Sequence, residues 1–246
     1  MTEKYFDIHS HILPEVDDGS VSLAMTTEMI DTAYRQGVRT MIATPHYYPG
    51  HRNVSGEDLE QIYRETASVI KEKYSDFTLL LGNEIYYKDE IVKRLQNREI
   101  FTLAGTRYIL IEFPVTAQYK YIYDAVQKCV NAGYYPVLAH MERYGCLRKS
   151  MAFEEGKVKE LIRAGAYMQM NAENFRSGII VWGRKECMKL LGKNLIHFLG
   201  SDCHNMAGRK PDLGNALEYL SQKADRAVMK RLIRENPEKL LENKCI

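Results

Sequence analysis

Residues 5–11 read YFDIHSH, an apolar, extended run that ends on two histidines, His9 and His11. In a strand, residues i and i+2 face the same side, so both imidazoles point one way. Six further short apolar runs repeat the pattern: MIATPH (41–46), LLLGNE (79–84), ILIE (109–112), VLAH (137–140), YMQMN (167–171) and HFLGSDCH (197–204). Each ends in a side chain that binds metal through oxygen or nitrogen. In a βα-repeat barrel the chemistry sits at the carboxyl ends of the strands. A chain whose strand ends are His, Glu, Asp and Asn therefore gathers ligands at one mouth. This spacing predicts a polynuclear metal hydrolase.

Helical signals fill the intervals between the runs. Ser22 is placed to cap a helix through Gln36, closed by Gly37. Ser55 with Asp58 has the form of a capping box heading a helix to Lys73. Further helices are expected over Tyr119–Ala132, Glu154–Ala164 and Arg184–Leu191, with a helical tail from Leu213 and a last helix opened by Asn236-Pro237. The expected strands are Tyr5–Ile8, Val38–Ala43, Thr78–Leu81, Tyr108–Ile111, Pro136–Ala139, Ala166–Met170 and Ile196–Gly200. Alternation of this kind implies a parallel sheet, and seven such strands imply a barrel, irregular or incomplete. No linker or low-complexity tract divides the chain, so residues 1–246 are expected to form a single domain.

At 246 residues, 45% hydrophobic and 27% charged, the chain suits one barrel-sized soluble domain. With 34 basic and 32 acidic residues the net charge is +2, which gives no electrostatic case for nucleic acid or an anionic membrane. The five cysteines (Cys129, Cys146, Cys187, Cys203 and Cys245) are odd in number, irregularly spaced and without a CxxC. Free thiols in a reducing compartment are the simplest reading. The segment MTEKYFDIHSH carries no signal-peptide stretch, and no run approaches a membrane span. A cytoplasmic protein without membrane insertion is expected.

Asp202 and His204 repeat the His9–His11 spacing at the last strand, and His46, Glu84, Glu112 and His140 end other strands. Such groups clustered without a cation repel one another or go unsatisfied. Mixed imidazole and carboxylate with no Cys favours Zn, Mn or Fe over a structural zinc knot. Glu84 is the natural bridging carboxylate. Closely spaced ions suit phosphoryl chemistry, and Arg143 and Arg209 follow ligands closely enough to fork a phosphate, although either can equally form a surface salt bridge. Tyr47, Tyr48, Tyr86, Tyr87 and Tyr144 lie near ligands, placed either to stack on a substrate ring or to pack barrel walls. The loop Tyr47–Asn53, with His51 and Arg52, either covers substrate or is solvated. His197 lies within a strand and reads as a core residue. Cys203 to Arg209 spells C-x5-R, the phosphate loop of cysteine-dependent phosphatases. Strand alternation turns that thiol away from Asp202 and His204.

The stretches DIHSHILPEVDDGS (7–20), ATPH (43–46), GNEIY (82–86), IEFP (111–114), AHMERY (139–144), QMNAENF (169–175) and SDCHN (201–205) together resemble the polymerase and histidinol phosphatase (PHP) superfamily. Within it they resemble the bacterial protein-tyrosine phosphatases of the CpsB/YwqE/CapC type. The motifs run in order from residue 7 to 209, nearly the whole chain. The resemblance implies a distorted (β/α)7 TIM-like barrel holding three divalent ions, commonly Mn, with Fe or Zn as alternatives. By the same analogy His9, His11, Glu84 and Asp202 hold one ion. Glu84, Glu112 and His140 hold a second, and Asp18, His46 and His204 a third. Arg143 and Arg209 would grip the phosphate. The implied activity is hydrolysis of phosphotyrosine by metal-activated hydroxide, on the tyrosine-rich tail of a bacterial tyrosine kinase, in control of capsule or exopolysaccharide synthesis.

Two departures from the family pattern stand out. Met141 replaces a usual Pro, which implies a less rigid loop carrying Arg143, and Cys203 replaces Ala or Met. The competing readings are another PHP phosphoesterase, such as a histidinol-phosphatase or nucleotide hydrolase, and a regulator that binds a kinase tail without hydrolysis. An amidohydrolase-type zinc enzyme usually wants a Lys at a middle strand end, where this chain has Glu112.

Overall fold

The computed structural model describes residues 4–149, 152–176 and 183–246. Strand β1 (Tyr5–Ser10) leads through a long loop to helix α1 (Leu23–Arg35). Ser22 caps α1 as expected, its hydroxyl accepting from the Met25 N–H at 3.2 Å. β2 (Val38–Ala43) and β3 (His46–Tyr47) follow, then α2 (Gly56–Lys73), β4 (Thr78–Leu81), β5 (Glu84–Tyr86) and α3 (Ile91–Gln96). The capping box is not formed: Ser55 makes no side-chain cap bond, because the chain enters α2 through Gly56 in the left-handed region (φ 58°). Glu57 and Asp58 in the first turn still offset the positive end of the helix.

The second half alternates regularly. β6 (Tyr108–Glu112), α4 (Tyr119–Asn131) and β7 (Tyr135–Leu138) precede a short antiparallel hairpin, β8 (Arg148–Lys149) and β9 (Ala152–Phe153). Then come α5 (Glu155–Arg163), β10 (Tyr167–Asn171), α6 (Arg184–Gly192), β11 (Phe198–Gly200), α7 (Leu213–Ser221) and α8 (Arg226–Lys230). A π-helical turn over Arg231–Glu235 joins α8 to α9 (Asn236–Leu241), where Pro237 lies in the first turn.

Two parallel sheets, β1-β2-β4 and β11-β10-β7-β6-β5-β3, form one curved wall. β3 continues β2 beyond a bend at Thr44-Pro45, and β5 continues β4 beyond Gly82-Asn83. The wall closes between β1 and β11, where Asp202 N–H donates to the His9 carbonyl at 2.8 Å and His11 N–H to the Cys203 carbonyl at 2.9 Å. Among the described residues the result is a distorted parallel barrel of seven staves, two of them bent. The bends explain why β3 and β5 are not separate strands in the sequence pattern.

Two-residue alternation sorts the strand side chains. Tyr108 and Leu110 on β6, Val137 on β7, Tyr167 on β10 and Phe198 on β11 share one buried cluster with Ile8 and Ile42 inside the barrel. Ile109, Ile111, Met168 and Met170 belong to the larger cluster beneath the helices. Along the inward faces, Glu112, Gln169 and Asn171 come next toward the carboxyl ends. The apolar plug thus fills the lower barrel and the polar residues form its mouth. Among the described residues no helix is long and apolar enough to cross a membrane.

His197, just before β11, is in the core, 9% exposed, and its Nδ1 accepts from the Met168 N–H at 3.0 Å. Burial lowers its pKa to about 4. A depressed folded-state value means that the unfolded chain binds the proton first, so stability falls as pH drops from about 6.5 toward 4. The loss at pH 5 should be about 2 kcal/mol. His197→Asn keeps an acceptor in place of Nδ1 and should flatten this slope. Urea midpoints at pH 7 and pH 5 for both proteins measure it, and parallel midpoints would refute the assignment.

Candidate metal centre

The predicted ligands arrive from six of the seven staves, with Asp18 on the loop after β1 and Asp202 and His204 both after β11. His9 and His11 come from β1 and the turn after it, at 0% exposure. The β1–β2 register slips between Asp7 and Ser10, where the strand passes from barrel packing to the histidine pair. His46 opens β3, Glu84 opens β5 and Glu112 ends β6. His140 and Asp202 follow the ends of β7 and β11, and both take left-handed backbones, with φ of 32° and 52°. Strained backbone of this kind clusters at functional sites. Gly200 permits the closure, since a Cβ there would stand 2.5 Å from the His9 Cβ.

Glu84 is the centre of the arrangement. Its Oε2 lies 3.3 Å from both His9 Nε2 and His11 Nε2 and 3.0 Å from His46 Nδ1. Its Oε1 lies 2.8 Å from His140 Nε2, which is also 3.4 Å from Glu112 Oε1. Three groups have ligand atoms within 4.8 Å of one another: His9, His11, Glu84 and Asp202; His11, Asp18, His46 and His204; and His46, Glu84 and Glu112. The structure thus brings together every residue proposed from the sequence as a ligand. It adds His11 to the Asp18 group, and sets His46 with Glu84 and Glu112, where His140 sits against both carboxylates.

The donor set fits divalent cations, and the hydrogen bonds around it show why. His11 Nδ1 lies 2.7 Å from Asp17 Oδ2, and His9 Nδ1 3.2 Å from Gln169 Oε1. In the neutral rings these acceptors take the Nδ1 protons, leaving both Nε2 atoms as lone-pair donors only 3.2 Å apart. Two lone pairs facing each other need a cation between or beside them. Glu84 Oε2, His46 Nδ1 and His204 Nε2 are buried without a hydrogen-bond partner among the described residues, although they stand at ion-pair distance from neighbours. Side chains gathered so closely yet not bonded to one another point at shared positions.

The titrations carry the same message. Burial pushes the Glu84 carboxyl up, but His9, His11, His140 and His46 outweigh it and hold the group well below the usual carboxylate range. Burial opposes protonation of His11, while Asp17 and Glu84 raise it to about 10. His140 reaches about 10 against burial, through Glu112 and Glu84. This is a field that demands positive charge.

Arg143 and Arg209 flank the centre. Both reach Asp202, Arg143 Nη2 at 3.0 Å from Oδ2 and Arg209 Nη2 at 2.8 Å from Oδ1. Their side chains are 35% and 39% exposed against 2% for Asp202, so each joins a buried ligand to solvent, and Arg143 Nη2 also lies 3.5 Å from Glu173 Oε1.

Sequence reasoning did not single out Asp17 or Gln169, and it read Asn171 only as a polar strand end that could bind metal. Asp17 also accepts from the His46 N–H at 2.9 Å, and Gln169 from the His140 N–H at 2.6 Å. Asn171 donates to Asp202 Oδ2 at 2.7 Å. The available signal was their place within the motif stretches, Asp17 in the loop after β1 and Gln169 and Asn171 at the inward phase of β10. Of the five tyrosines, Tyr47, Tyr87 and Tyr144 are buried wall residues at 5%, 2% and 0% exposure, while Tyr48 and Tyr86 are partly exposed. The Tyr47–Asn53 loop is tied on itself, Tyr48 N–H donating to Asn53 Oδ1 at 2.8 Å. Met141 is fully buried under the turn that carries Arg143.

Cys203 is fully buried, and burial pushes its thiol up, away from the thiolate a nucleophile needs. Cys203→Ser should therefore keep wild-type-like turnover while losing roughly 1–3 kcal/mol of stability from burying a hydroxyl. His204→Ala assayed beside it should be the inactive one. The reverse pattern would restore the cysteine mechanism.

A closed parallel barrel with a histidine–carboxylate cluster at its mouth is the architecture of a metal-dependent hydrolase. The family model described as "Capsular polysaccharide synthesis, CpsB/CapC" matches residues 5–242, and the chain belongs to that family. It is 33% identical over 245 residues to the tyrosine-protein phosphatase CpsB of Streptococcus pneumoniae, covering 98% of this chain and 99% of that one. Against the tyrosine-protein phosphatase YwqE of Bacillus subtilis it is 35% identical over 242 residues, covering 98% and 92%. A solved structure from work on YwqE and CpsB, described as unique metal-dependent tyrosine phosphatases, superposes with a TM-score of 0.88 at 32% identity, covering 98% of this chain and 96% of that one.

Proposed function

We propose that this chain is a metal-dependent protein-tyrosine phosphatase, acting as one domain over residues 1–246. The observation that carries the reading is the Glu84 carboxylate, whose two oxygens face different groups of ligands, with two partly exposed guanidiniums on the neighbouring ligand Asp202. Family membership and full-length likeness to named tyrosine phosphatases support it.

His9, His11, Glu84 and Asp202 would hold one divalent ion, Glu84, Glu112 and His140 a second, and Asp18, His46 and His204 a third, with His11 and His46 within reach of neighbouring groups. Bound cations supply Lewis acidity toward phosphoryl oxygens and acidify a water as nucleophile. Asp17 and Gln169 fix the imidazole tautomers, so that Nε2 lone pairs face inward without reorganisation. Arg143 and Arg209 take phosphoryl oxygens and offset the charge that builds on them. A tyrosyl leaving group has a pKa of about 10 and departs without a strong general acid. Manganese is the proposed metal, with iron or zinc as alternatives for the same donors. The substrate is proposed to be the tyrosine-rich tail of a bacterial tyrosine kinase in the cytoplasm, within capsule or exopolysaccharide synthesis.

The test pairs metal analysis with assays after chelation and re-addition of single ions. Chelation should abolish phosphate release, and one ion should restore it. Phosphotyrosyl peptide should be turned over faster than histidinol phosphate or nucleoside monophosphates. A manganese-loaded protein that frees no phosphate from phosphotyrosyl peptide would end the proposal, and a preference for histidinol phosphate would move it to another phosphoesterase class.

A further inference from the structure

We infer that Tyr48 and Tyr86 form an aryl subsite that makes the centre prefer phosphotyrosine over alkyl phosphates. The inference rests on the phosphatase reading above and names how its substrate class is chosen.

The register of β3 and β5 builds the subsite. His46 pairs with Glu84 and Tyr47 with Ile85, so the next rung sets Tyr48 beside Tyr86. Each tyrosine follows a proposed ligand by two residues and so shares its face of the strand. Two residues of strand advance about 6.6 Å, which places the ring pair one layer beyond His46 and Glu84 and level with Glu112, the strand partner of Tyr86. The ring centroids are 5.3 Å apart, and the Tyr48 ring is 4.9 Å from that of His46. The Tyr48 hydroxyl lies 3.4 Å from Glu112 Oε2, so the ring reaches across to the end of β6. Asn53 locks the backbone behind it, its Nδ2 donating to the Tyr48 carbonyl at 2.9 Å.

The pair opens onto a recess of about 540 Å³ completed by Pro49, His51 and Lys88. An aryl phosphate whose phosphoryl group lies at His46 and Glu84 can set its ring in this recess, against the two aromatic side chains that follow those ligands by two residues. A phosphoserine has no ring to place there, and its peptide backbone would have to enter the layer itself.

The test uses the full-length, metal-loaded protein and two peptides of one sequence, carrying phosphotyrosine or phosphoserine. The readout is the ratio of kcat/KM between them, with bound metal measured in parallel. Tyr86→Leu and Tyr48→Leu should each lower the ratio about tenfold, mainly by raising KM for the phosphotyrosyl peptide, the scale expected for losing one aromatic contact. Tyr86→Phe and Tyr48→Phe should restore it, because the ring and not the hydroxyl does the selecting. An unshifted ratio in both leucine variants, or a wild-type ratio near one, overturns the subsite while leaving the phosphatase intact. Wild-type protein that releases no phosphate from the phosphotyrosyl peptide overturns the phosphatase reading and this inference with it.

Discussion

Glu84→Gln should lower kcat/KM for a phosphotyrosyl peptide by roughly 10⁴-fold or more, about 5.5 kcal/mol of transition-state stabilisation. The size follows from position. Its Oε2 lies within 3.3 Å of His9 and His11 nitrogens and 3.0 Å from His46, and its Oε1 2.8 Å from His140. It belongs to two of the ligand groups, so one substitution weakens both. The amide keeps the shape but loses the charge, and one end presents donors to imidazole nitrogens that need a cation. Bound metal, measured by elemental analysis after dialysis, should fall with activity. Normal metal content with normal turnover would mean that the centre lies elsewhere in the barrel. Near-normal metal with lost turnover would assign Glu84 to the chemistry rather than to retention of the ions.

How much of this was legible beforehand depends on what each residue needs for its placement. Strand ends carry their own signal: an apolar run fixes the strand, and its last polar residue falls at the mouth. His46, Glu84, Glu112 and His140 were readable for that reason. Spacing alone did not separate Asp17 from Asp18, adjacent in one loop, and only the family resemblance picked out Asp18. Only the folded chain shows Asp17 bonded to His11 Nδ1 while Asp18 faces His46 and His204 at 3.4 Å. Gln169 and Asn171 sit at the right phase of β10, yet their roles depend on His9 and Asp202 reaching them across the barrel. The bends at Thr44-Pro45 and Gly82-Asn83 hid β3 and β5, since a two- or three-residue strand leaves no period to read. The aromatic layer stayed hidden for the same reason, because it depends on the register of those two short strands.

Arg143→Ala and Arg209→Ala should each reduce kcat by roughly 10²–10³-fold, the scale seen when one preorganised donor to developing negative charge is removed. Lysine at either position should recover part of the loss, since it returns the charge without the planar fork. The two effects should not add. Both guanidiniums reach Asp202, at 3.0 and 2.8 Å, so removing one already disturbs what the other holds. That shared partner also creates the rival explanation. Burial raises the Asp202 carboxyl, and His9, His11 and Arg209 together draw it well below its ordinary range. An arginine that merely held Asp202 in place would cost activity by loosening a metal ligand. Inhibition by inorganic phosphate separates the two roles. If the arginines grip the phosphoryl group, the alanine variants keep their metal and need far more phosphate for half-inhibition. Metal lost with phosphate inhibition unchanged in the remaining active fraction would make both arginines supports for Asp202, and the phosphate would then be held by the cations alone.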